Sequence, residues 1–174
     1  MSLFSSPSEH RPGSDEISEV YVRTMRVKDL PAVMKIERRS FPTPWSETLF
    51  QTEIEENSNA DYVVACRADE LVGYAGMWVL PGGAHITNIA VDPDQRGRRV
   101  GTRLLLTLMQ RVQFRGLRRM TLEVRKSNKQ ARRFYQRYGF KVQGIRANYY
   151  TDTHEDAVVM KCEDVGKMLA TFRF

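Results

Sequence analysis

An α/β fold, one mixed β-sheet with helices on both faces, is what this sequence predicts, and three observations carry the prediction. DYVVACRA, LVGYAGMWVL and AHITNIAV follow one another with only a DE turn and a PGG turn between them, which reads as an antiparallel meander. Two later segments, VGTRLLLTLM and SNKQARRFYQRYGF, place apolar residues at helical spacing, and each leads into a strand-like run. The chain of 174 residues with 41% hydrophobic residues is the size of one domain with a substantial core.

Each element has its own signal. Residues 1–19 are rich in Ser, Pro, Glu and Gly without hydrophobic period and read as a flexible tail. VYVRTMR is a β-branched first strand. Asp29 is placed to cap a helix with Pro31 in its first turn, and Leu30, Val33, Met34 and Ile36 suit its buried face. PTPW breaks that helix, and Ser46 can cap a second one across ETLFQTEIEEN. After the meander and QRGRRVG, Val100, Leu104, Leu105, Leu108, Met109 and Val112 form an apolar stripe that ends at Gly116. RRMTLEVR is a strand. Ser127 with Gln130 reads as a capping box for a helix whose inner face is Ala131, Phe134, Tyr135 and Tyr138, closed by Gly139. FKVQGIRANYY and DAVVMKC pair as the last strands. The expected domain is 20–163, with a C-terminal tail over 164–174.

Composition excludes several classes. The apolar runs YVVAC and LLLTLM fall far short of the ~20 residues of a membrane span, and the first residues have no secretory pattern. Cys66 and Cys162 stand alone in apolar runs, as buried thiols of a reducing cytoplasm, and no His, Cys, Asp or Glu spacing suits a metal. The net charge of +6 favours an acidic partner: RNA, a phosphorylated cofactor, or both. From Gln95 to Arg137 there are fourteen Lys or Arg residues and one acid, Glu123.

Four places can carry chemistry. QRGRRVG, residues 95–101, sets three arginines at the start of a helix, where unpaired amides and the macrodipole already favour an anion. A solvated basic turn is the plain alternative. Glu123 sits mid-strand in TLEVR; alternation alone sends it to a solvated face with Thr121 and Arg125, whereas a covered face would make it a functional carboxylate. Tyr135 lies on the apolar stripe of its helix and reads either as core or as a phenolic proton donor. Trp45, Tyr149 and Tyr150 are aromatics near turns, serving either packing or a groove. His85 and His154 are rival bases that their positions, before a strand and in a loop, disfavour.

NIAVDPDQRGRRVGTRLL resembles the acetyl-CoA-binding segment of the GNAT N-acetyltransferases, and TLEVRKSNKQARRFYQRYGFK resembles their second signature segment. FPTPWSETLF and RANYYTDTHEDAVVM are similar to flanks of the RimI type, which acetylates the N-terminal α-amine of a small-subunit ribosomal protein. The resemblance spans roughly residues 20–162. It implies the GNAT fold, acetyl-CoA as cosubstrate without metal, and a protein N-terminus as acceptor. It also implies a cytoplasmic enzyme, with contact to the ribosome surface as a further expectation and neither membrane nor DNA as partner.

The same resemblance implies that backbone groups of Ile89, Ala90 and Val91 pair with the pantetheine arm. Arg96, Gly97, Arg98, Arg99, Val100, Gly101 and Thr102 would hold the pyrophosphate, and Asn128 would also touch the cosubstrate. It assigns the general base to Glu123 and the general acid to Tyr135, and it draws the acceptor groove from Trp45, Tyr149 and Tyr150. One position departs from the family pattern: Arg99 stands where the first glycine belongs. Residue 99 is expected to enter the helix at negative φ, with no backbone strain. Two other readings stay open: a GNAT enzyme acting on lysine or a small-molecule amine, and a basic ribosome- or RNA-binding module on the same core.

Overall fold

A computed structural model describes residues 20–172 of the chain. Seven strands form one sheet: β1 (Val20–Thr24), β2 (Ala60–Arg67), β3 (Glu70–Leu80), β4 (Gly83–Val91), β5 (Met120–Arg125), β6 (Lys141–Tyr150) and β7 (Glu155–Cys162). They lie in the order β1-β2-β3-β4-β5-β7-β6. Every pairing is antiparallel except β4 with β5, which run parallel. Among the described residues five α-helices complete the fold: α1 (Leu30–Ser40), α2 (Glu47–Glu55), α3 (Val100–Phe114), α4 (Lys129–Arg137) and α5 (Val165–Leu169). Among the described residues no helix is long and apolar enough to cross a membrane.

Both faces of the sheet are covered, which is why β2 reads as a continuous apolar run. Val63 and Ala65 join the core beneath α3, where Leu104, Leu105, Leu108 and Met109 are fully buried. Tyr62, Val64 and Cys66 point the other way, into a second core with Val33, Met34 and Ile36 of α1 and Phe50 of α2. Each fully buried leucine or methionine is worth about 1.5–3 kcal/mol relative to an exposed one. Cys66 and Cys162 belong to opposite cores, so both are buried free thiols.

Three expected details come out differently. Asp29 sits at the N-cap of α1 but makes no side-chain cap; its carboxylate instead takes two bonds from Arg23, at 2.7 and 2.8 Å, and one from the Arg26 amide. The cap of α4 is Asn128, whose side chain accepts from the Ala131 amide at 3.0 Å, in place of Ser127. Residues 164–172 are not a tail: Asp164 caps α5, and Val165 and Leu169 enter the core beside α3. The stretch 1–19 lies outside the described residues.

What matters for the site is where the sheet opens. β4 and β5 share only two register pairs, Ala84 with Met120 and His85 with Thr121. Immediately beyond, the β3–β4 pairing slips, Gly76 facing Asn88 and Met77 facing Ile86, so that Thr87 is an extra residue. Such a bulge bends its strand, and here it turns the C-terminal half of β4 away from β5. Gly76 is required opposite the bulge, because a Cβ there would meet the Tyr62 ring at 2.1 Å.

Candidate active site

The opening between β4 and β5 is the mouth of a cleft of about 820 Å3. Asn88 and Ile89 line it from β4, Glu123 from β5, Asn128 and Tyr135 from the start and middle of α4, Trp45 from the α1–α2 loop, and Tyr149 and Tyr150 from β6. Residues scattered over more than a hundred positions of sequence therefore share one wall-to-wall space. Ala90 is buried on the α1 side, while Val91 is half-buried at the end of β4, where its carbonyl accepts from Arg96 Nε at 3.3 Å.

The turn after β4 is built to leave amides free. Asp92 accepts from the Asp94 amide, and Arg39 of α1 clamps Asp92 and Asp94 at 2.9 and 3.0 Å, which pins the turn to the opposite layer. Gly97 and Arg99 both take left-handed backbone, at φ 76° and 61°. A Cβ on Gly97 would meet nothing within 4 Å, so its glycine is needed for φ rather than for space. Arg99 is the N-cap of α3 and offers no side-chain cap; the first helical bond runs from the Arg103 amide to the Arg99 carbonyl at 3.1 Å. The amides of Val100, Gly101 and Thr102 thus lack helical partners at the positive end of a 15-residue helix. Arg98 and Arg99 are exposed beside them. An anion such as a pyrophosphate fits this turn.

The expectation of negative φ at Arg99 is therefore corrected. The residue bridges two backbone directions at the helix entrance, and a non-glycine there costs roughly 1–2 kcal/mol. Arg99→Gly should relieve that strain, less about 0.4–1 kcal/mol for the looser unfolded chain. The variant is expected to melt no lower than the parent. Its acetyl-CoA dissociation constant should stay within about tenfold, with a shallower salt dependence from the lost charge. Calorimetry and titration at two salt concentrations check both; a fall in Tm of several degrees would contradict the strain argument.

Much of the basic run proves to be spoken for. Arg111 and Arg115 clasp buried Asp61, Arg118 pairs with Asp164, Arg119 with Glu163, Arg125 with Asp152, and Lys126 with Asp156. Carboxylates distant in sequence neutralise these six. Arg96, Arg98 and Arg99 have no carboxylate partner among the described residues, so three unneutralised cations stand at the turn beside its free amides.

Glu123 is held from both sides. Its side chain is only 7% exposed, with Oε2 2.8 Å from His85 Nε2 and Oε1 3.0 Å from Arg146 Nη1. A carboxylate only accepts, so Nε2 carries the proton, while Nδ1 lies 2.8 Å from Thr121 Oγ1. The His85 hydrogen bond, with the Arg146 guanidinium beside it, holds the Glu123 carboxyl below its ordinary range against the opposing effect of burial. Glu123 is thus ionised at neutral pH. The face it occupies is covered, not solvated: Leu122 and Val124 are in the core, and Glu123 looks into the cleft.

Tyr135 is wedged between Phe134 and Phe140, ring centroids 5.2 and 5.6 Å away, and burial pushes its phenol well above the usual value. No described residue hydrogen-bonds its hydroxyl. Tyr138, by contrast, is buried and bonds Thr102 Oγ1 at 2.8 Å, tying α4 to the helix of the anion turn. Trp45 is placed by its amide, which donates to buried Glu37 at 2.9 Å, and by packing on Phe50. Tyr150 lies under the Arg125 guanidinium, 4.0 Å from its centroid, and Tyr149 packs edge-on against it at 5.1 Å. The hairpin and the α1–α2 loop are clasped by Thr43 Oγ1 donating to Asp152 at 2.6 Å.

Sequence reasoning weighed His85 only as a rival base and missed its contact with Glu123; it passed over Arg146, Glu37 and the Thr43–Asp152 clasp. His85 reaches Glu123 because β4 and β5 pair at His85 and Thr121, a register that no local pattern announces. His154 is in the exposed β6–β7 turn at φ 52°, away from the cleft lining. Among the described residues, no three His, Cys, Asp or Glu side chains gather as a metal site.

Residues 30–140 match the acetyltransferase (GNAT) family. The ribosomal protein bS18-alanine N-acetyltransferase of Salmonella typhimurium is 37% identical over 142 residues, covering 80% of this chain and 94% of that protein. A Bacillus subtilis protein that carries the same name provisionally is 42% identical over 139 residues, covering 80% and 92%. The crystal structure of the ribosomal-protein-S18-alanine N-acetyltransferase from Escherichia coli superimposes with a TM-score of 0.76 at 34% identity, covering 83% of this chain and 93% of that one. A parallel pair splayed by a bulge, an uncapped helix entrance suited to an anion, and this breadth of identity agree: the chain belongs to the GNAT family of acetyl-CoA-dependent acetyltransferases.

Proposed function

We propose that the enzyme transfers the acetyl group of acetyl-CoA directly to the N-terminal α-amine of a small-subunit ribosomal protein that begins with alanine, in the cytoplasm. Glu123 acts as general base and Tyr135 as general acid. The observation that carries this reading is that an ionised carboxylate and a protonated, unengaged phenol face one cleft at the opening of β4 and β5. The names of the relatives supply the acceptor.

The roles divide along the cleft. Backbone groups of Ile89, Ala90 and Val91, freed by the missing strand partner, extend the sheet onto the pantetheine arm. The turn from Arg96 to Thr102 neutralises the phosphates. Asn128 caps α4 through Oδ1, which leaves its amide protons for the cosubstrate. The acceptor enters between Trp45 and the Tyr149–Tyr150 pair and presents its amine to Glu123. As the carbon–sulfur bond breaks, the Tyr135 hydroxyl gives its proton to the departing thiolate.

Peptides of about six residues beginning with alanine test the acceptor class, each offered with its α-amine free or blocked and with one internal lysine. Acetylation is expected only where the α-amine is free. Equal acetylation of blocked peptides would establish lysine as the acceptor and overturn the proposal.

A further inference from the structure

The two neighbours that grip Glu123 are held very differently, and the difference has a use. His85 is fixed at both ring nitrogens, by Glu123 on one side and Thr121 on the other, and is 22% exposed. Arg146 reaches Glu123 Oε1 from edge strand β6 with a side chain that is 58% exposed. Its other neighbour is the Tyr149 ring, 5.7 Å from the guanidinium. The β6–β7 register breaks between Arg146 and Tyr150, with Asn148 at φ 49° inside the break. Arg146 is therefore the mobile member, and it comes from the strand that carries two aromatic residues of the acceptor side.

An acceptor that gives its proton to Glu123 needs one of the carboxylate oxygens. Oε2 faces the fixed imidazole. Oε1 is occupied by a guanidinium that solvent can take up at little cost. We propose that Arg146 is a resident cation standing in for the acceptor, displaced from Glu123 Oε1 when the α-ammonium of the substrate binds. The proposal rests on the reading of Glu123 as the base. Arg146 acts in it as a positioning residue: it keeps the carboxylate ionised and partnered between turnovers, then yields the oxygen to a cation of the same charge. The other polar groups around this carboxylate are Thr121 and Arg125 on its own strand, Tyr150 on β6 and Tyr135 on α4. Among the described residues none of them bonds Oε1, so the exchange is between two cations for one oxygen.

Removing a resident competitor should strengthen acceptor binding. With acetyl-CoA saturating and an alanine-initiated peptide varied at pH 7, Arg146→Ala and Arg146→Gln are expected to lower KM for the peptide about fivefold, the upper scale of a half-exposed ion pair. Their kcat should change by less than about threefold, and Arg146→Lys, which keeps a cation, should fall between. Millimolar guanidinium should compete with the peptide in Arg146→Ala and hardly at all in the parent. In a Glu123→Gln background, Arg146→Ala should leave KM unmoved.

A KM that rises, or that stays within a factor of two, in both folded Ala and Gln variants overturns the exchange. The underlying reading fails separately: if Glu123→Gln keeps near-normal turnover, Glu123 is not the base whatever Arg146 does. If Glu123→Gln loses turnover while KM in the Arg146 variants does not fall, the exchange alone is wrong.

Discussion

Glu123→Gln is expected to lower turnover by ~10²–10⁴ at neutral pH while acetyl-CoA binds as before. Glutamine keeps the shape and can still meet His85 or Arg146, but it cannot take a proton. The pH dependence separates two contributions. An α-ammonium with a pKa near ~7.7–8.0 is already neutral in about one molecule in six to eleven at pH 7, so preparing the free amine is worth only about tenfold. The remainder of the loss must come from the proton shed as the nitrogen bonds to the carbonyl carbon, when that nitrogen becomes far more acidic. A carboxylate held below its ordinary range, as Glu123 is, can still accept from so acidic a group. Raising the pH to about 9 should therefore recover roughly tenfold at most and leave a residual deficit. Steady-state rates of parent and variant across this range check it; full recovery at high pH would confine Glu123 to amine deprotonation.

Tyr135→Phe is expected to lower turnover by about two orders of magnitude with little change in Tm. The ring contacts to Phe134 and Phe140 survive the substitution, and no hydrogen bond between described residues is lost with the hydroxyl. Burial keeps the phenol protonated until a strong base appears beside it, and the thiolate leaving group is such a base. Rate and melting temperature measured on one preparation distinguish the outcomes. Equal activity of the two proteins would return Tyr135 to simple packing.

Much of this fold was legible because local and global preferences agree. The α3 stripe faces a single core, so its spacing at Val100, Leu104, Leu105, Leu108 and Met109 survives in the sequence. Where two good caps adjoin, as at Ser127 and Asn128, local chemistry does not choose; Ser127 instead spends its amide on Glu155 at 2.6 Å. VGKML forms a helix too short to display a period, and its place in the core comes from packing Val165 and Leu169 beside α3. The left-handed backbone of Arg99 is invisible because arginine does not advertise positive φ as glycine does.

The site divides in the same way. Glu123, Tyr135 and Asn128 stand within contiguous signature segments, and the structure gathers them around one cleft with Ile89, Trp45, Tyr149 and Tyr150. The partners of Glu123 do not read from sequence. His85 depends on a parallel register, and Arg146 depends on an edge strand folding back beside β7. Charge misleads in the opposite direction: the long basic run suggests a broad anionic partner, yet six of its cations are paired with carboxylates of the same chain.

The place where the acetyl group lands tests the central claim most directly. Incubation of the enzyme with isotopically labelled acetyl-CoA and an unmodified small-subunit ribosomal protein bS18, followed by mass spectrometry of the N-terminal and lysine-containing peptides, locates the label. The expected result is a single acetyl group on the α-nitrogen of the first alanine, appearing ~10²–10⁴ times more slowly with Glu123→Gln at neutral pH. Label on lysine side chains with the α-amine unmodified, or no transfer at all, would contradict the account.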